Sequence, residues 1–169
     1  GAKSGSLTFM VGGSRDDFDK LRFLFEYMGS RSVYCGKNGS GQTAKICNNM
    51  ILGVTMIATC EAFALADKLE LDREAMFDVV STSSGYSWSM NSYCPAPGVG
   101  PKAPSDNNYT PGFSSDLMLK DLTLSQNASS ESKASTPMGD LAMKLYKDFV
   151  ENKNGSGLDF SAIIKTFEV

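Results

Sequence analysis

The sequence predicts a mainly α-helical fold, opened by a short strand–helix–strand piece. Three observations carry that expectation. Period-two alternation of apolar residues is confined to the first 38 residues. From about Gly41 to Leu69 apolar residues keep helical spacing, with Gly53 as the one mild breaker. Beyond residue 112, cap signals and helical periodicity return twice.

In chain order, SLTFMV places Leu7, Phe9 and Val11 on alternate positions and reads as a strand. Ser14 caps a helix that has Asp16 and Asp17 in its first turn and an apolar stripe of Phe18, Leu21, Phe25 and Met28, ended by Gly29. SVYC, 32–35, reads as a second strand. One such unit cannot make a doubly wound sheet, so residues 1–38 are expected to be the terminal part of a larger α/β domain lying upstream.

The helix over about 41–69 is roughly 40 Å long at 1.5 Å per residue. Asp72 caps REAMFDVV. Five prolines then fall between Pro95 and Pro111, and a loop from Ser83 to Gly112 with aromatic residues to pack is expected to serve function. Ser114 or Ser115 caps the next helix, Thr136 with Pro137 starts another that Gly155 ends, and SAIIKTF forms a last short helix.

A chain of 169 residues suits one good core, or one domain plus a piece of another. A net charge of -3, without clustered Lys and Arg, argues against nucleic acid. No unbroken apolar run reaches the roughly 20 residues of a membrane span, and the first residues lack the layout of a signal peptide, so a soluble chain with any targeting segment upstream is expected. Cys35, Cys47, Cys60 and Cys94 show no C-x-x-C spacing and the chain has no histidine, so no metal site is expected and the thiols read as reduced, small hydrophobes.

Gly39-Ser-Gly41-Gln-Thr-Ala44 matches G-x-G-x-x-A, with Glu61 about twenty residues on. In a dinucleotide fingerprint a second strand delivers that acid, whereas here the helical pattern runs through Glu61, and no G-K-[ST] follows for a Walker loop. More informative are Lys45, Asn48 and Asn49, which share one face of an otherwise apolar helix at i, i+3 and i+4. A lysine buried there would need a partner or a use, while a first-turn lysine can simply be solvated. Spacing leaves both readings open.

Five stretches together carry a family resemblance: Gly1-Ala2-x-x-Gly5-x-Leu-Thr-x-Met-Val-Gly-Gly13, then Gly41-Gln-Thr-Ala-Lys45-Ile-Cys-Asn48-Asn49, then GYSWSMNSYCPAPGV, PSDNNYTPGF and LMLKDL. In order and spacing they resemble the β-hydroxyacid dehydrogenases, over essentially the whole chain. The resemblance implies the all-α C-terminal domain of a 6-phosphogluconate-dehydrogenase-like architecture over 39–169, preceded over 1–38 by the last piece of an NAD-binding Rossmann domain. It implies NAD as cofactor, a small 3-hydroxy acid as substrate, a homo-oligomer, and a mitochondrial location.

By the same resemblance Lys45 is the catalytic lysine, Asn49 and Phe113 hold substrate, Lys120 contacts the cofactor near the nicotinamide, and Gly41, Asn48 and Asp121 support the site. The residue types suit alcohol oxidation, in which the protein must handle the hydroxyl proton while the cofactor takes a hydride. The glycine-rich NAD loop and the Ser-Gly-Gly substrate segment of the family pattern are not in the sequence, so the chain is expected to correspond to the C-terminal half of such an enzyme. A non-catalytic oligomerisation or partner-binding module derived from one is the alternative.

Overall fold

The computed structural model describes residues 2–168; Gly1, where the first motif begins, and Val169 lie outside them. The chain divides into two compact units, Gly1–Asn48 and Asn49–Val169. The helix α2 (Ser40–Lys68) runs through the division.

In the first unit β1 (Leu7–Gly12) and β2 (Gly29–Gly36) pair in parallel, joined by α1 (Arg15–Met28). The Ser14 side chain caps α1 by accepting from the Asp17 N–H at 3.4 Å. β2 starts three residues before the expected Ser32, because the register sets Leu7 opposite Gly29 and draws the whole stretch into the ladder. The expected apolar stripe of α1 is only half covered. Phe18 is buried and packs with Phe25, but Leu21 and Met28 stay exposed, as do Phe23, Leu24 and Tyr27. Two strands offer too little surface to cover a 14-residue helix.

α2 is the central helix of the second unit. Met56, Ile57, Cys60, Phe63 and Ala66 form its buried face, while Ile51 and Leu65 remain exposed, so it is not buried all round. Contrary to the expectation from unbroken apolar runs, α2 does have the length and mean hydropathy of a membrane span. Its polar residues are spread along its length, which hides this from a search for runs. Its buried face is satisfied by the protein core, as in the core helix of a globular domain.

Around α2 stand α3 (Arg73–Ser81), the four-residue α4 (Trp88–Asn91), α5 (Ser115–Ser132), α6 (Pro137–Asn152) and two 3₁₀ segments, Pro104–Asn107 and Phe160–Thr166. Asp72 caps α3 through the Ala75 N–H, and Ser114 caps α5 through that of Leu117. Phe63, Met118, Leu122, Tyr146, Phe149 and Ile163 are fully buried or nearly so, each worth about 1.5–3 kcal/mol of burial.

Of the later boundaries, the Gly155 stop needs correction. Thr136 stands at the N-cap of α6 with Pro137 first in the helix, as expected, and its hydroxyl bonds Gln126 Oε1 at 3.0 Å and Ser129 Oγ at 2.8 Å, stitching α6 to α5. α6 ends at Asn152, and the left-handed turn after it is made by Asn154 (φ 56°), not Gly155. Gly155 is required for space, since a Cβ there would sit 2.5 Å from the Phe149 ring. The last short helix is where it was expected, a 3₁₀ segment over Phe160–Thr166 capped by Asp159.

The Ser83–Gly112 loop is held throughout. Asp106 accepts from the N–H groups of Gly98 (2.7 Å) and Ala103 (3.0 Å), Ser105 donates to the Cys94 carbonyl, and the buried Tyr109 hydroxyl donates to that of Pro95. Cys60 and Cys94 are buried, and burial pushes both thiols above their usual range; Cys47 is exposed, unlike a packing thiol.

Candidate functional site

In the first unit, Gly41 opens α2 against β1. A Cβ at Gly41 would collide with the Met10 carbonyl oxygen and crowd the Gly12 nitrogen, so glycine is what lets helix and strand approach. The G-x-G-x-x-A glycines thus divide: Gly41 is filled in by backbone, while Gly39 turns the chain with φ 88°. Lys45 and Asn48 follow on α2, and both are exposed. Of the two readings that spacing left open for Lys45, the exposed one is what this chain has. Lys45 lies in the second turn of a helix whose buried face begins further along.

In the second unit, three of the expected residues come together around one carboxylate. Asp121 is 4% exposed. Its Oδ2 accepts from the Asn49 side-chain amide at 2.6 Å, across 72 positions of sequence, and its Oδ1 lies 3.4 Å from Lys120 Nζ. The Lys120 side chain is 56% exposed, so a surface ammonium stands on a buried anion. Pairing suits both groups: a buried carboxylate without partners would be costly, and the Asn49 amide loses rotational freedom to it.

Phe113 belongs to a second cluster, which sequence reasoning missed. Half-buried, it meets the Phe160 ring edge-on at 5.8 Å. Its backbone N–H is held by Asp159, a fully buried carboxylate that also takes the Tyr93 hydroxyl at 2.8 Å. Tyr93 stacks between Trp88 (4.8 Å) and Phe160 (5.4 Å). Burial, then the Asp159 charge, pushes the Tyr93 hydroxyl far above its usual range, so it stays a proton donor. Asp159 sits outside every stretch that carried the resemblance; its one local signal is its place as cap before SAIIKTF.

Comparison with known proteins shows the family of the chain. Residues 39–167 match the family described as NAD-binding of NADP-dependent 3-hydroxyisobutyrate dehydrogenase, and residues 1–36 match the NAD binding domain of 6-phosphogluconate dehydrogenase. The mouse protein named 3-hydroxyisobutyrate dehydrogenase, mitochondrial, is 45% identical over 97% of this chain and 49% of its own length. A Pseudomonas aeruginosa protein named NAD-dependent L-serine dehydrogenase is 44% identical over 99% of this chain and 56% of its own. Among solved structures, Mycobacterium tuberculosis 3-hydroxyisobutyrate dehydrogenase with L-serine superposes with a TM-score of 0.94 at 41% identity, over 99% of this chain and 57% of that one. The chain spans about half the length of the curated relatives it matches. With a family match over most of its residues and relatives above 40% identity along nearly all of it, the chain belongs to the 3-hydroxyisobutyrate dehydrogenase family.

Proposed function

We propose that this chain supplies the lysine-bearing helical part of a nicotinamide-dependent dehydrogenase that oxidises 3-hydroxyisobutyrate to the semialdehyde, a step of valine breakdown. The observation that carries the reading is the Asn49–Asp121–Lys120 cluster, with Lys45 one helical turn before Asn49 on the same α2. Residues 1–38 serve as the end of the cofactor domain and 39–169 as the substrate domain. L-serine, also a 3-hydroxy acid, is a second substrate to test, because the names of two matched proteins carry it.

Each residue then has a task. Lys45 Nζ sits at the substrate hydroxyl; as the amine it accepts the hydroxyl proton while the hydride leaves the carbon, and the ammonium so formed hands a proton on to solvent. Asn49, its amide N–H committed to Asp121, presents the rest of its carboxamide to substrate. Asn48 and Gly41 support the helix start, and Phe113 lines the apolar side. Lys120 fits a bound dinucleotide, being a half-exposed cation whose position is fixed from below by Asp121. The dinucleotide, when bound, accepts the hydride.

The exposed Met138 and Leu141 on α6, with Ile51 and Leu65 on α2, support a homo-oligomer. The name of the mouse relative supports a mitochondrial location.

The test is NADH formation from NAD and 3-hydroxyisobutyrate by this chain joined to the N-terminal portion of a matched dehydrogenase. Turnover is expected, and Lys45→Ala is expected to lower it by about 10² or more with melting unchanged. A near-normal rate in that variant would remove Lys45 from the chemistry, and no turnover in the parent would favour a non-catalytic oligomerisation or partner-binding module.

A further inference from the structure

Asp159 is a buried carboxylate that accepts five hydrogen bonds, and neither the proton transfer nor the dinucleotide contact uses it. Its Oδ2 accepts from Tyr93 Oη (2.8 Å), the Gly112 N–H (2.9 Å) and the Phe113 N–H (3.1 Å); its Oδ1 accepts from the Ser161 N–H (3.0 Å) and Oγ (2.7 Å). The carboxylate gathers three separate stretches of chain at zero exposure. Its own backbone continues the clamp: the Asp159 carbonyl takes the Ser115 hydroxyl, and the Phe160 N–H donates to the Phe113 carbonyl at 2.9 Å. Phe113 is therefore gripped on both sides of its peptide, immediately before α5 carries Lys120 and Asp121.

We propose that Asp159 is a positioning residue for the substrate site, fixing the Gly112–Phe113 backbone so that the Phe113 ring presents a set apolar wall to the 3-hydroxy acid. This rests on the dehydrogenase reading. A group with two acceptor oxygens is what the site requires, because the three backbone N–H groups around it can only donate. An amide in its place turns one end into a donor and leaves at least one buried N–H facing it. Binding of a small acid depends on the placement of such a wall, whereas the proton transfer at Lys45 does not pass through Asp159.

The experiment uses the joined, active protein with Asp159→Asn and Tyr93→Phe, and Asp116→Asn as control. Asp116 makes a similar clamp on Ser156 Oγ (2.9 Å) and the Gly157 N–H (2.8 Å), three residues beyond Phe113 but on other partners. Asp159→Asn is expected to raise KM for 3-hydroxyisobutyrate about 5-fold and Tyr93→Phe about 3-fold, with kcat within about 2-fold, while Asp116→Asn lowers Tm and leaves KM unchanged. If Asp159→Asn does not fold, Tyr93→Phe, which removes one bond of the five, decides. An unchanged KM in folded Tyr93→Phe overturns the positioning role alone, and so does an equal rise in the control. No turnover in the parent overturns the dehydrogenase reading, and this proposal falls with it.

Discussion

The two units solve the burial problem to very different degrees. The second encloses a continuous core in which Phe63, Met118, Leu122 and Tyr146 have no exposure, and it satisfies buried carboxylates at Asp121 and Asp159 with specific donors. The first buries one large apolar side chain, Phe18, and leaves Tyr27 85% exposed on the same helix. A helical bundle closes around its own faces, while a two-stranded sheet with one helix has no second layer to close against. The difference teaches where side chains can be held in fixed places: the second unit does so at the Asn49–Asp121 pair and around the Phe113 peptide.

The contrast can be broken by mutation. The largest effect is expected from Phe63→Ala, about 3–5 kcal/mol in a urea titration followed by circular dichroism, because the cavity would open in a packed interior. A loss below about 1 kcal/mol would mean that the core yields easily. Gly41→Ala comes next, at about 1–3 kcal/mol, since the new methyl meets main chain rather than a side chain that could turn away.

Acid provides a gentler probe. The N–H groups of Ala103 and Gly98 hold the Asp106 carboxyl below the usual range, so its contribution is complete above the ordinary carboxylate pKa and is lost as pH falls through the lowered one. Hydrogen exchange at Gly98 and Ala103 is expected to quicken below about pH 4 relative to that of the α2 core. Equal quickening at both places would show no local clamp. The smallest effect belongs to Tyr27→Ser, within about 0.5 kcal/mol by the same urea titration; a larger loss would mean that α1 depends on that exposed face.

Much of the fold was legible. Ser14, Asp72 and Ser114 are caps whose chemistry is local, and Pro137 can only begin a helix, so these boundaries need no tertiary information. What failed did so where distant chain decides. The early start of β2 is set by its partner Leu7, and the exposure of Lys45 by where the core lies along α2. Of the candidate cluster, the residue types were readable but the geometry was not: Asn49 and Asp121 meet across 72 positions. Asp159 was invisible for the same reason, as its partners lie at 93, 112, 113 and 161.

The ring stack of Trp88, Tyr93 and Phe160 gives the molecule an intrinsic optical gauge. Trp88 is the sole tryptophan in the sequence, is half exposed, and rests on the tyrosine whose hydroxyl ends at Asp159. Emission excited at the indole therefore comes from one known spot, and its wavelength and quantum yield follow whether that tyrosine is seated. The state of the buried clamp can be watched in real time, in dilute solution and without a label.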